Sequence, residues 1–144
     1  MVLSLLRKLE FGERPGQPQQ EPDEAVLPRR RPQDGVIDWN SSSEEIYNLV
    51  RALARPYPGA YAFLNDQPYR IWSAARTPIT QPVAAAGTVI GPVHSPEPKA
   101  CGQMVATANG AVLILEMQDA SGNVLQGSKL SELDWTGRRL SNAA

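Results

Sequence analysis

Apolar and polar positions follow three different rules along this chain, and the changes of rule mark its elements. Val2, Leu3, Leu6 and Leu9 fall on one side of a helix, which predicts a short helix over residues 2–10 that stops near Gly12. Residues 12–32 show no period; they are rich in Pro, Gln and Glu and are expected to be extended or mobile unless laid on a partner surface. Helical spacing then returns. Asp38-Trp39 closes an extended approach, and Asn40, Ser41 and Ser42 offer side-chain oxygens to the free amides of a helix start. Ser41 with Glu44, or Ser42 with Glu45, has the spacing of a capping box. Ile46, Leu49, Val50 and Leu53 sit at i, i+3, i+4 and i+7, predicting an amphipathic helix over residues 43–53. Pro56 ends it, because the residue before a proline is pushed out of the helical region, and Pro58-Gly59 turns the chain toward a strand.

From residue 60 the period drops to two. Residues 60–64 and 69–74 read as strands joined across Asn65-Asp66-Gln67, with Tyr69, Ile71 and Ser73 on one face and Arg70, Trp72 and Ala74 on the other. Residues 77–86 form a loop holding Pro78 and Pro82. Strands follow over residues 88–93, 103–108 and 112–118, the last two joined by Asn109-Gly110. Ser121-Gly122-Asn123 marks another turn, Val124-Leu125 a final short strand, and residues 128–133 a helical turn. The polar tail over residues 138–144 is expected to be loose. One amphipathic helix and five or six short strands predict a mainly β chain, a small closed or partly open barrel, preceded by a short helix and an extended Pro-rich linker.

Composition narrows the class. At 144 residues the length fits one domain with a real core and does not favour two. Cys101 is the only cysteine, so no intrachain disulfide is possible and a reducing, cytoplasmic setting is expected. The opening MVLSLLRKLEF is broken by Arg7, Lys8 and Glu10 and predicts neither a secretory leader nor a membrane span. Residues 1–35 carry six basic and six acidic side chains, and the remainder eight and nine. Neither part has the basic excess that a nucleic-acid backbone selects.

Little catalytic chemistry is legible. The single histidine, His94, lies in a Pro-rich segment that reads as a surface loop. Cys101 has no His or Cys neighbour that would make it a nucleophile or a metal ligand, and is expected to be a structural cysteine at a strand edge. No phosphate loop or dinucleotide fingerprint is present. Arg29-Arg30-Arg31 is the best ligand candidate, since guanidinium forks fit phosphate or carboxylate and Pro32 would stiffen the loop carrying them. The alternative is a solvated basic linker paired with Asp34, Asp23 or Glu24. Trp39 reads as a packing anchor. Trp72 is expected to be exposed, or covered by a partner domain, if Ile71 points inward, and Trp135 stays open.

Several of these residues occur together in a known order: Arg29-Arg30, Pro32, Asp34, Ile37-Asp38-Trp39, Val50-Arg51-Ala52, Pro58-Gly59-Ala60, then Gly87-Thr88-Val89-Ile90 and Ala106-Thr107-Ala108-Asn109-Gly110. In this the chain resembles the linker and C-terminal domain of the formyltransferase family that uses 10-formyltetrahydrofolate. That family includes methionyl-tRNA formyltransferase, formyltetrahydrofolate hydrolases and sugar-nucleotide N-formyltransferases. The resemblance covers residues 28–144, more weakly residues 3–19, and looks closest to enzymes acting on UDP-4-amino-4-deoxy-L-arabinose and similar sugar nucleotides. It implies an OB-like barrel over residues 36–144, with residues 1–35 as the end of a catalytic domain and its linker, so that Met1 would start inside a domain.

The resemblance also implies formyl transfer from 10-formyltetrahydrofolate to an amino group, performed by an Asn, a His and an Asp of the N-terminal domain. A general base for the amine and a polarised formyl carbonyl are what that reaction needs. Those three residues have no match here, so this chain is expected to contribute no catalytic, cofactor or metal ligands and to be inactive alone. Its expected partner is a catalytic domain, missing or supplied in trans. Arg29 and Arg30 would approach the diphosphate of a sugar nucleotide, although Arg31 stands where that branch often has Thr. Two alternatives remain: the tRNA-contacting domain of a methionyl-tRNA formyltransferase, and a free-standing interaction module.

Overall fold

The computed structural model describes residues 2–12 and 31–143. Helix α1, Val2–Glu10, forms as its spacing predicts, with Leu3 and Leu6 exposed. The linker predicted over residues 12–32 lies almost wholly outside the described residues. Pro32 itself, read as its extended end, instead opens a 3-10 turn, Pro32–Gly35. Proline fits that position because its fixed φ suits the first helical residue and its missing N–H is not needed there.

Helix α2, Ser43–Ala52, begins at the second of the two capping pairs: Ser42 Oγ accepts from the Glu45 amide, and the Glu45 carboxylate accepts from the Ser42 amide at 2.8 Å. Glu44 is used elsewhere, pairing with Arg76. Ile46, Val50 and Leu53 are buried, and Leu49 packs at the edge of the core, so the predicted stripe is the packed one. The helix start is also tied to the barrel. The Ser43 amide donates to Asn109 Oδ1 at 2.9 Å and its hydroxyl lies 2.6 Å from Thr107 Oγ1.

The strands are β1 Ala60–Leu64, β2 Gln67–Arg76, β3 Val89–Val93, β4 Gly102–Ala106, β5 Ala111–Gln118, β6 Val124–Gln126 and β7 Leu140–Ser141, with α3, Ser128–Ser131, between the last two. They pair antiparallel in the order β3-β4-β5-β2-β1-β7, with β6 on β5. Ala60, Ala62 and Leu64 of β1 face inward beside Ile71, Val105, Val112, Ile114 and Met117. This is a mainly β, small barrel, as the alternation implied, and an OB-like one, as the family resemblance implied.

Three details differ from the sequence reading. Asn65 and Asp66 both take positive φ, 50° and 62°, so a two-residue turn joins β1 to β2 and Gln67 already pairs with Leu64. Asn and Asp tolerate that conformation, and its twist suits a hairpin. The pairing of β2 with β5 shifts register between Ile71 and Ser73 and again between Ser73 and Ala74. Ile71 lies opposite Met117 and Ala74 opposite Ile114, so Ala74 packs against the core where alternation would have put Ser73. A bulge inserts a residue, and every later side chain changes face.

The largest correction concerns the tail. Residues 137–141 are not loose: Leu140 and Ser141 pair with Leu64 and Phe63 of β1. On the other side the Val89 amide donates to Arg138 O and the Leu140 amide to Gly87 O, each at 2.8 Å. This segment therefore joins the two ends of the sheet. Leu140 and Trp135 are 2% and 7% exposed, and Trp135 meets Tyr69 edge to face at 5.5 Å between ring centres. Buried Gln103 holds the preceding turn by donating from Nε2 to Leu130 O and Leu133 O at 2.7 and 2.8 Å.

Candidate functional site

Arg29 and Arg30, the sequence-predicted ligand contacts, lie outside the described residues. Arg31 is exposed, and its backbone amide, not its guanidinium, meets Asp34: Oδ2 accepts at 2.6 Å and closes the 3-10 turn. That turn is seated tightly. A Cβ on Gly35 would lie 2.9 Å from Gly59 O and 3.2 Å from Leu53 Cδ1, so only glycine permits this approach of the turn to α2 and β1. Val36 then bridges Tyr61 in parallel, and the Ile37 amide donates to Tyr61 O at 2.9 Å. The chain thus arrives at the barrel through a braced stalk.

Concave surfaces flank the stalk. One cavity, about 460 Å³, is lined by Pro32, Pro58, Tyr61, Pro68, Arg70 and Asp119 among others. Prolines have fixed φ, and the polar members are held: Arg70 Nη1 donates to Pro58 O, and Gln118 bridges from Trp72 Nε1 at 3.0 Å to Gly122 O at 3.0 Å. Asp119 Oδ1 accepts from the Ser121 and Asn123 amides and Oδ2 from the Asn123 side chain, each at 2.9 Å. The Asn123 side chain and amide hold this carboxyl below its usual range, so Asp119 carries a firm negative charge in the same lining as Arg70. A second, more open concavity of about 500 Å³ lies beside α2, lined by Asp34, Asn48, Leu49, Ala52 and Leu53.

The face around the first cavity continues into a stacked group. Trp72 lies on the outside of β2, half-buried, with the Arg55 guanidinium 4.4 Å above its ring, and Arg55 also pairs with Glu116 at 2.9 Å. Trp72 is therefore covered by a cation from α2's end rather than left bare. The ion pair adds little, since the Arg55 side chain is 56% exposed, while the stack orders the ring.

The remaining candidates sit elsewhere. His94 is exposed in the loop after β3, as expected. Cys101 is buried just before β4; its thiol donates to Ser95 O and accepts from the Ser95 amide, each at 3.3 Å, which makes it a clasp for the 95–101 loop. Trp39 is buried and packs in the core. Among the described residues no cluster of His, Cys, Asp or Glu could hold a metal, and no helix is long and apolar enough to cross a membrane. Arg70, Tyr61 and Asp119 were not singled out by sequence reasoning. They come from three segments, and only the Asp119–Asn123 turn had a local signal.

Fold and site together define a β-barrel module entered through a braced N-terminal stalk, with two concavities beside the point of arrival and another of about 600 Å³ elsewhere, lined by Ser73, Lys99, Glu116 and Ser128 among others. A family model for the formyl transferase C-terminal domain matches residues 30–132, from the residue before the stalk to the residue after α3. The chain belongs to that family.

Proposed function

We propose that this chain serves as the non-catalytic C-terminal domain of a 10-formyltetrahydrofolate-dependent formyltransferase, supporting a catalytic domain and forming one wall of the acceptor site. The observation that carries this reading is the family match over the stalk and most of the barrel. His94, the chain's one histidine, stands exposed on a loop away from both concavities' lining. A general base for amine attack needs to be oriented by a neighbour and screened from water, and nothing here does that for His94.

In this reading the domain spans residues 36–144, residues 1–35 belong to the linker and the end of the catalytic domain, and folate is held by the catalytic domain alone. The acceptor is the amino group of a sugar nucleotide. Arg29 and Arg30 immediately precede the stalk and would approach its diphosphate, and the protein works in the cytoplasm, where its buried free thiol stays reduced. The balanced charge of the domain favours this over a tRNA acceptor.

Incubation of the chain with 10-formyltetrahydrofolate and UDP-4-amino-4-deoxy-L-arabinose should give no formylated product, and turnover by the chain alone would overturn the reading. Salt-dependent affinity for initiator tRNA would redirect it to the tRNA branch.

A further inference from the structure

A smaller hollow, of about 170 Å³, opens between Asp38-Trp39-Asn40, on the approach to α2, and residues 139–142 of the closing segment. Half of its lining lies past residues 30–132, the span that the family model matches.

The charges in this hollow are opposite and unmatched. Asp38 and Arg139 both line it, yet they make no ion pair with each other, and among the described residues neither has an ionic partner. Each is nevertheless held in place. Asp38 Oδ1 accepts from the Asn40 amide and side chain at 3.0 and 3.3 Å, which leaves Oδ2 unengaged. Arg139 Nε donates to Ala86 O at 3.3 Å, which leaves the two terminal nitrogens of the guanidinium. Trp39 lines the same hollow and carries a third unmet group: it is 3% exposed, and its indole Nε1–H has no acceptor among the described residues. A buried donor left unpaired forfeits the hydration it had in the unfolded chain, so this group calls for an acceptor that the chain does not supply.

One molecule bearing a carboxylate and an ammonium a few bonds apart answers all three. The two carboxylate oxygens suffice for a guanidinium fork and an indole N–H, and the ammonium brings three donors to a carboxylate that accepts only. A simple anion would satisfy Arg139 but sit against the charge of Asp38, and a simple cation would meet the reverse conflict. The volume is below the roughly 300–1,000 Å³ of sites for drug-sized ligands, so a compact molecule fits and a nucleotide does not.

We propose that this hollow binds a free α-amino acid, with its carboxylate on Arg139 and Trp39 Nε1 and its ammonium on Asp38. The occupant ties the closing segment to the approach to α2. This site does not depend on the function proposed above.

The test is a titration of the complete chain with glycine, alanine and serine, followed by the indole N–H resonances in proton–nitrogen spectra assigned by triple resonance. At least one of the three should shift the Trp39 resonance saturably, with half-saturation at about 1 mM or below, and leave Trp72 and Trp135 in place. Acetate and methylammonium, each carrying one of the two charges, should bind at least tenfold more weakly. Arg139→Met and Asp38→Asn change exposed side chains, and should keep the fold by circular dichroism while each losing at least tenfold in affinity. Arg138→Met, outside the lining, should bind as the unaltered chain does. No saturable shift with any of the three amino acids, undiminished binding by Arg139→Met or Asp38→Asn, or acetate binding as tightly as the best amino acid would each overturn the proposal.

Discussion

Residues 31–37 and residues 135–141 both lie against β1, one at each end of the described domain, yet they are held there by different physics. The leading segment is fixed by local devices: a proline that sets φ, a carboxylate that satisfies the amide three residues back, and a glycine that allows contact with β1's approach. The closing segment has one such device, a turn in which the Arg138 amide donates to Trp135 O at 2.9 Å past Gly137 at φ 80°. It stays in place because Leu140 and Trp135 are buried and because its backbone pairs on both sides, with Gly87 and Val89 and with Phe63 and Leu64. Local devices orient what comes before them, while burial and two-sided pairing seal what is already built. The first kind suits a stalk and the second a seam.

Removing the seam's buried anchor should have the largest effect. Leu140→Ala leaves a hollow where the two sheet ends meet, and large-to-small changes at fully buried positions cost about 2–5 kcal/mol. Urea unfolding should show that loss, and amide exchange should accelerate at Val89 and Leu140 before the rest of the barrel. A loss under 1 kcal/mol would mean that backbone pairing alone closes the barrel. Gly35→Ala probes the stalk and should cost about 1–3 kcal/mol, the typical range for overpacking, because the new methyl would lie 2.9 Å from the Gly59 backbone oxygen, which cannot give way as the Leu53 tip can. Its exchange changes should stay near Val36 and Tyr61. If instead they spread to Leu140, the two segments are one cooperative unit and the contrast drawn here fails.

The same contrast explains what the sequence disclosed. Elements with repeated or local signals were legible: the cap and stripe of α2, the alternation in β1, the turn at Asp119, the buried Trp39. Bulges were not, since an inserted residue at Trp72 or Leu115 leaves composition and hydropathy unchanged while reversing faces beyond it. The closing strand was missed because two residues carry no period, and Leu140 is a lone apolar position in a polar stretch. The first hollow was invisible for a related reason: Pro32, Pro58, Tyr61, Arg70 and Asp119 are brought together only by pairing among distant strands. The family resemblance reached the stalk and barrel through motifs with structural duties, such as Thr107 and Asn109 holding the start of α2.

The smallest expected effect lies just beyond the stalk, at the cap of α2, and it can be read through pH. Ser42 donates its backbone amide to the Glu45 carboxylate and its hydroxyl lies 2.9 Å from the same carboxylate oxygen, which holds the Glu45 pKa below its ordinary value. A carboxyl lowered on folding stabilises the folded state above its unfolded pKa, and that contribution fades as pH falls through the lowered native value. Ser42→Ala removes the hydroxyl and should cost about 1 kcal/mol at neutral pH. It should also reduce the acid-side loss of stability, since less of the lowering remains to be undone. The measurement is a pair of thermal unfolding series from neutral to acidic pH: the two proteins should differ most near neutrality and converge as the carboxyl is protonated. A constant gap across the series would assign the cap's contribution to the Ser42 hydroxyl bonding the Glu45 amide, with no share from the carboxylate.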